Sequence, residues 1–400
     1  MSGPHVVIVN QNAALEIDLR PRREAETLAE AGYTVTLVGG TRSPEAVRAM
    51  TGARVHLELY PQPREGRGVV GQIREQQQAM ARALLGLRRA ARRAPVAAVH
   101  AGNPPDNFFL ARRALRPVQG STPRFVFDQH DAAPVLLEEK FPQTPLRRPL
   151  MTTARRIERW SFAAAGLVVF ANAEYRARAE RDGLLRSDSE VVPNGWSLPA
   201  VPADPRWRDG ADHLFAYVGT IGEQDNVDRL VDAVAELGLP GRVKVVVAGA
   251  GSALAAAQRR ARDRDVAAAF EWLGFVRDRD RIASLVRSAD VCVAPEVDSA
   301  FNRLATFVKV VEYMSAGAPT VAHRLPQTER LAGDTLEYAP DMTAAGLAAA
   351  LRAVLADPER ARRLGAAAHE RFREGISWER AGGPRLVAAY QRLLGAPDGG

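Results

Sequence analysis

The sequence predicts an α/β protein of two doubly wound parallel-sheet domains in tandem, and three observations carry that expectation. Short apolar runs recur between helical patterns along the chain, the pattern pauses once near residue 193 and then restarts, and 400 residues suit two domains of ordinary size. Runs that are apolar throughout, rather than alternating, belong to strands covered by helices on both faces. The first half offers HVVIV at 5–9, YTVTLV at 33–38, VAAVH at 96–100, RFVFD at 124–128 and LVVFA at 167–171. The pause is Pro193-Asn194-Gly195, followed by a proline-rich connector through Pro205. The second half offers LFAYV at 214–218, RVKVVVAG at 242–249, EWLGFV at 271–276, VCVAP at 291–295 and PTVA at 319–322. Helical patterns fill the end: Asp357 and Pro358 supply an N-cap and a first-turn proline, and a last helix is expected from Trp378 to Leu394. The expected domains are therefore 1–195 and 196–377, with 378–400 as a terminal helix. In such sheets ligands bind beyond the carboxyl ends of the strands, so two facing domains are expected to share a site in the cleft between them.

Hydrophobic content of 46% and charged content of 25% are those of a globular chain. No apolar run approaches the ~20 residues that span a bilayer, and nothing resembles a signal peptide, so the expected location is cytoplasmic. The single cysteine, Cys292 in VCVAP, rules out an internal disulfide and reads as core. A net charge of +7 suits nucleic acid, a membrane surface or an anionic small molecule without choosing among them. All but three of the 54 basic residues are arginine; the lysines are Lys140, Lys244 and Lys309. Where arginine has replaced lysine so widely, a surviving lysine marks a place for a compact point charge rather than a planar fork. Lys244 merely opens a strand.

The tract FNRLATFVKVVEYMSAG, 301–317, is the most informative. Thr306 is placed as an N-cap, 307–316 as helix, and Gly317 at the left-handed position that ends it. Lys309 then falls in the first turn, where a cation opposes the helix dipole unless an anion such as a diphosphate is bound there. Glu312 lies on the same face, with a carboxylate suited to the paired hydroxyls of a ribose. The alternative is a plain i,i+3 ion pair between the two.

Other motifs are weaker alone. Gly249-Ala250-Gly251 follows a strand and precedes a helix, but Leu254 stands where a dinucleotide fingerprint has its third glycine. The Asp-Arg-Asp triplets at 263–265 and 278–280 read as solvated surface, and no metal site is expected. His130, flanked by Asp128 and Asp131 at the end of a strand, is the catalytic candidate of the first domain, and His100 a lesser one. YVGTIGEQDNVDRLVDAV, from 217, turns at Gly219 and Gly222 into an amphipathic helix, and its backbone NH groups could receive phosphate oxygens.

Read together, NPPD at 103–106, FDQHDAAP at 127–134, VPNG at 192–195, YVGTIGEQDNVD at 217–228, the GAG turn, LGFV at 273–276 and KVVEYMSAGAPTVA at 309–322 resemble the retaining glycosyltransferases of family 4, with the GT-B fold. The branch resembled glycosylates bacterial surface polymers and specialised metabolites. The resemblance implies a nucleotide-sugar-binding second domain, an acceptor-binding first domain, and a terminal helix that packs back on the first. It implies that Glu312 holds the ribose and that Val276 lies against the base. The turn from Gly219 through Thr220 to Gly222, with Gly251 behind it, would face the diphosphate, while Thr306 and Phe307 present backbone NH groups. His130 would approach the donor sugar, and the acceptor side would carry Asn10, Asp18, Arg20, Asn103 and Asp131. Three positions depart from the pattern: Thr220 and Asp225 replace an arginine and a lysine, and Leu304 replaces a first glutamate, a gap that Glu296, Asp298 or Asn302 could fill. The glycine-rich loop of the first domain is replaced by NQNAALEIDLR at 10–20.

The expected activity is transfer of a sugar from a nucleoside-diphosphate donor to a small-molecule, glycan or lipid-linked acceptor, with Lys309 stabilising the departing diphosphate and no metal or other cofactor. Retention follows from the resemblance alone; no paired carboxylates predict it independently. Two rivals stand beside this expectation. One keeps the fold and makes the chain an epimerase, hydrolase or atypical transferase on a nucleotide sugar. The other is a non-catalytic binder of nucleic acid or membrane, motivated by arginine clusters at 88–93 and 147–159 ending in Trp160. Aromatic content of 6% argues against nucleic acid as a partner and leaves peripheral contact with the inner face of a membrane as the narrower form of that reading.

Overall fold

A computed structural model describes residues 3–11, 13–63, 68–140 and 147–396. The described residues fall into two compact units, one within Met1–Pro193 and Gly382–Gly400, the other Asn194–Ala381.

The first unit is built on seven parallel strands: β1 (His5–Asn10), β2 (Thr34–Thr41), β3 (Val55–Pro61), β4 (Val96–Gly102), β5 (Arg124–Gln129), β6 (Leu167–Phe170) and β7 (Asp188–Val191). Their order is β3-β2-β1-β4-β5-β6-β7. The five inner strands are the five apolar runs of the sequence. The two edge strands were not expected, because each has one open side and carries polar residues: β3 reads HLELY after its first valine and β7 reads DSEV. The final helix, Gly383–Leu394, packs on the helix Arg20–Glu30 and on β6 and β7, and buries Tyr390 completely. It starts later than Trp378, after a π-helical turn at Trp378–Gly382. Pro384 has no N–H to bond the carbonyl four residues back, which disfavours a regular α-helix through that turn.

The second unit has six parallel strands: β8 (His213–Val218), β9 (Val243–Ala248), β10 (Phe270–Gly274), β11 (Val291–Ala294), β12 (Thr320–Ala322) and β13 (Glu337–Tyr338), ordered β10-β9-β8-β11-β12-β13. Both faces of β8 are apolar. Phe215 and Tyr217 join Val245, Val247 and the helices Val227–Leu237 and Ala344–Ala356. Leu214, Ala216 and Val218 join Val246, Cys292 and the helix Arg279–Ser288 on the other face. Cys292 is therefore core, as expected. The short β13, an edge again, was not legible in the sequence.

In each sheet the strand order reverses once, between β1 and β4 and between β8 and β11. Such switch points open a crevice at the carboxyl ends of the flanking strands, where ligands of open α/β sheets bind. No helix among the described residues is long and apolar enough to cross a membrane.

Candidate functional site

Lys309 sits at the switch point of the second sheet. The helix that carries it runs Val308–Ala316, with Phe307 as N-cap and no side-chain capping bond. Thr306, expected as the cap, instead accepts a hydrogen bond from Gln327 Nε2 at 3.0 Å. Gly317 ends the helix at φ +69°, the left-handed conformation expected of it. Lys309 is buried, and Nζ donates to Tyr217 Oη at 2.8 Å, to Asp225 Oδ1 at 2.9 Å and to Glu296 Oε1. Burial alone would lower its pKa, but Glu296, Tyr217 and Asp225 outweigh burial and hold the ammonium above the usual lysine range. Burial pushes the Glu296 carboxyl up, even beside Lys309. Of the residues proposed to fill the gap left at Leu304, Glu296 is the one that reaches Lys309. Asp298 pairs with Arg303, and Asn302 Nδ2 ties its own loop to the Gln224 carbonyl at 3.0 Å.

The Gly219 turn lies directly over this cluster. A Cβ at Gly219 would approach Lys309 Cε to 2.8 Å, and its φ of +148° disfavours any side chain. Asp225 closes the turn by accepting from Gly222 N at 3.0 Å. The GAG segment is fixed to the same turn: Ile221 N donates to the Ala250 carbonyl at 3.0 Å and Ala253 N to the Ile221 carbonyl at 2.9 Å. A Cβ on Gly249 would lie 1.9 Å from the Gly219 carbonyl oxygen, and one on Gly251 2.3 Å from that of Ile221. These two glycines are required by backbone packing, so the dinucleotide fingerprint has no separate support. Thr220 is exposed, and its carbonyl accepts from Tyr217 Oη.

Glu312 is on the same helix, but the i,i+3 pair with Lys309 is not formed. Its Oε1 accepts from Arg279 Nη1 at 2.7 Å, while burial pushes its carboxyl pKa up against that partner. The second Asp-Arg-Asp triplet is therefore more than solvated surface. Asp278 caps the helix Arg279–Ser288, accepting from Asp280 N and Arg281 N, and so aims Arg279 at Glu312. Val276, just beyond β10, is partly buried against the core on that side.

At the carboxyl ends of β4 and β5 in the first unit, a second constellation forms around Asp128. Arg20 holds this fully buried carboxylate at two points, Nε to Oδ2 at 3.0 Å and Nη2 to Oδ1 at 2.8 Å. His130 Nε2 bonds Asp128 Oδ2, and His100 Nε2 lies 3.4 Å from the same oxygen. Although burial would raise the Asp128 pKa, Arg20, His130 and His100 prevail and keep it well below the usual carboxylate range. Glu24, 3.0 Å from Arg20 Nε, is pushed well up by burial and by Asp128. The network continues to the last helix, where Tyr390 Oη meets His100 Nδ1 at 2.8 Å. Burial lowers the pKa of His100, and that ring is enclosed; His130 remains partly exposed.

Of the residues expected on the acceptor side, three are enclosed. Arg20 is 3% exposed and turned onto Asp128, which leaves it a positioning role. Asn10 Nδ2 donates to Ala13 O at 3.1 Å and Asp18 Oδ2 at 3.2 Å, bracing the loop after β1. Asn103 is fully engaged: Oδ1 receives His130 N at 2.6 Å and Asp131 N at 3.1 Å, while Nδ2 donates to Asp106 Oδ1 and the Asp131 carbonyl, both at 2.8 Å. It fixes the backbone that presents His130. Asp18 and Asp131 are partly exposed. Glu24, Asp106, Arg279 and Tyr390 were missed; each is an ordinary helix or loop residue whose partners are distant in sequence.

Burial raises Asp106 to about 7, with Asn103 pulling the other way. A carboxyl whose folded pKa exceeds its unfolded value of about 3.9 stabilises the fold at low pH and loses that contribution as pH rises through the folded pKa. Asp106→Asn should therefore flatten the decline in urea midpoint of the first unit between pH 4 and pH 7; a decline as steep as wild type would contradict this.

Glu24, Asp128 and His130 also bring potential metal-ligating atoms within 4.8 Å of one another. Arg20 already contacts both carboxylates, so a cation there would face a fixed positive charge.

Two doubly wound parallel sheets, each gathering polar side chains at the carboxyl ends beside its switch point, define the GT-B class of fold. Solved structures share it: sucrose-phosphate synthase from Thermosynechococcus elongatus has a TM-score of 0.75 at 18% identity, covering 98% of this chain and 100% of that one. Anabaena HepE in complex with UDP and glucose has a TM-score of 0.70 at 14% identity, covering 98% of each chain. At such identities the likeness is one of fold. The chain belongs to the glycosyltransferases: the Glycosyltransferase Family 4 model matches residues 22–198 and the Glycosyl transferases group 1 model matches residues 212–357. A GDP-mannose-dependent alpha-(1-6)-phosphatidylinositol dimannoside mannosyltransferase of Mycobacterium tuberculosis is 30% identical over 220 residues, 53% of this chain and 54% of that protein. The chain thus spans about half the length of the curated relatives it matches.

Proposed function

We propose that the protein transfers a sugar, with retention, from a nucleoside-diphosphate donor bound by Asn194–Ala381 to an acceptor hydroxyl, as a step in bacterial glycan or specialised-metabolite synthesis. The observation that carries the proposal is the convergence at the β8/β11 switch point of the Gly219 turn, Lys309 and the amino end of the helix Val308–Ala316, with Glu312 one turn along. In the transfer the bond from the anomeric carbon to the diphosphate oxygen breaks, and its electron pair leaves with the diphosphate. The acceptor oxygen forms the new bond and loses its proton. The helix N–H groups stabilise the leaving charge without a metal, and Lys309 joins them once it exchanges one of its three partners, Tyr217, Asp225 or Glu296, for the diphosphate. Glu312, once released from Arg279, accepts from the ribose hydroxyls. His130, held by Asp128 through Nε2 and partly exposed, is the residue of the first unit assigned to the reacting sugar.

The named relative makes GDP-mannose the first donor to test and a lipid-linked acceptor the first acceptor class. Wild type should show a thermal upshift with one nucleoside-diphosphate sugar and its nucleotide, and yield glycosylated product only when acceptor is present. Glu312→Ala should raise the donor KM at least tenfold, the order expected for losing a charge-assisted pair of hydrogen bonds. Free sugar or an epimer formed equally without acceptor would instead establish the rival chemistry, which the departures at Thr220, Asp225 and Leu304 keep in view. An unshifted KM in Glu312→Ala would remove that residue from the donor site.

A further inference from the structure

We propose that Tyr390, on the terminal helix, is a positioning residue for His130: it fixes one tautomer of His100, which steadies the carboxylate that holds the His130 ring. This rests on the assignment of His130 to the reacting sugar and adds to it a phenol 260 positions further along the chain.

The buried groups between the two leave one arrangement of protons. Tyr390 is fully buried, and burial pushes its pKa well above the usual phenol value, so Oη keeps its proton. A buried hydroxyl needs an acceptor, and His100 Nδ1 lies 2.8 Å away. Tyr33, which packs edge-on against Tyr390 with ring centroids 5.8 Å apart, spends its own hydroxyl on the Gly395 carbonyl at 3.0 Å. Burial lowers the pKa of His100, so its ring is neutral and carries a single N–H. With Nδ1 accepting from Tyr390, that N–H is on Nε2. Nε2 faces Asp128 Oδ2 and Glu24 Oε2, 3.4 Å from each, where the opposite tautomer would set a lone pair against the Asp128 carboxylate.

The sheet brings this chain of contacts to His130. His100 and Gly102 are two apart on β4, and Gly102 pairs in register with Asp128 on β5, so the three positions share one face. The missing side chain at Gly102 leaves room for the His130 ring, since a Cβ there would come within 3.0 Å of its Cε1. The ring therefore lies over bare backbone and takes its bearing from Asp128 through Nε2. Asp128 Oδ2 receives Arg20 Nε and His130 Nε2 and has His100 Nε2 beside it. Reversing the His100 tautomer would replace one of these three donors with a lone pair, and the oxygen and the ring it holds would shift together.

The test is nitrogen NMR of the full chain labelled at histidine, read at neutral pH without substrate, with the two rings assigned by the signals lost in His100→Gln and His130→Gln. Wild type should show His100 as the Nε2–H tautomer with a hydrogen-bonded, unprotonated Nδ1. In Tyr390→Phe the Nδ1 signal should lose the shift that the hydrogen bond imposes, and the His130 signals should move with it; a tyrosine that only fills space would leave His130 where it was. His100→Gln keeps an amide N–H to offer Asp128 and should hold the His130 signals near wild type, whereas His100→Leu should displace them as Tyr390→Phe does. In turnover of GDP-mannose, Tyr390→Phe should lower kcat about fivefold, the order of one buried hydrogen bond, with the donor KM unchanged. An Nδ1–H tautomer of His100 in wild type, His130 signals unmoved in Tyr390→Phe or in His100→Leu, or an unchanged kcat would each overturn the proposal. The signals are read on the chain alone, so they decide the role of Tyr390 even if GDP-mannose is not turned over, which keeps failure here apart from failure of the functional reading.

Discussion

Lys309→Ala is expected to cut glycosyl transfer at saturating donor by about 100-fold or more, the usual scale for removing a fixed group that stabilises charge developing in a transition state. The same substitution leaves Asp225 and Glu296 buried without their shared cation, a change that typically costs about 3–5 kcal/mol. Loss of activity alone would therefore be ambiguous. Lys309→Met combined with Glu296→Gln separates the effects: neutralising the nearer carboxyl should recover part of the stability, read as the urea midpoint, while turnover stays low. Transfer within about threefold of wild type in the folded double variant would remove Lys309 from the reaction.

Arg20→Met should be among the most damaging substitutions in the first unit, by about 3–5 kcal/mol at neutral pH, because it strands the fully buried Asp128. The pH dependence identifies the cause. In wild type the folded Asp128 pKa is depressed, so its contribution is present above the unfolded value of about 3.9 and is lost as pH falls towards the folded value. In the variant the buried carboxyl protonates more readily and then needs no cation. The stability deficit should accordingly shrink when denaturation is repeated at pH 4; a constant deficit would point to lost packing instead.

How much of this was legible depended on burial. Inner strands such as β1, β5 and β9 are covered on both faces and announce themselves as apolar runs, whereas β3, β7 and β13 at the edges are short or polar and read as loop. The lysine at 309 stood out because lysine is so rare in this chain, and its position in the first turn of a helix was also legible. Its partners were not. Asp225 and Glu296 come from two different loops, and a pairing that depends on how loops converge leaves no periodic trace. The Lys309–Glu312 pair failed for the same reason, since helical spacing shows which residues share a face but not that Arg279 arrives from another helix to claim one of them. Arg20 was expected on the acceptor side from the family resemblance alone. Only the fold reveals the carboxylate beneath it.

The two glycines at 249 and 251 have a consequence for recognition. By letting one loop lie flush against the backbone of the Gly219–Ile221 turn, they tie that turn into the hydrogen-bonded end of the sheet. The amides of Gly219, Ile221 and Gly222 are spent on the Ala248 and Ala250 carbonyls and on Asp225, so the turn is already ordered before any ligand arrives and little chain entropy remains to be lost at that moment. A bulkier residue at either position would trade this ordered turn for one that each ligand must assemble, and the difference would register as weaker binding.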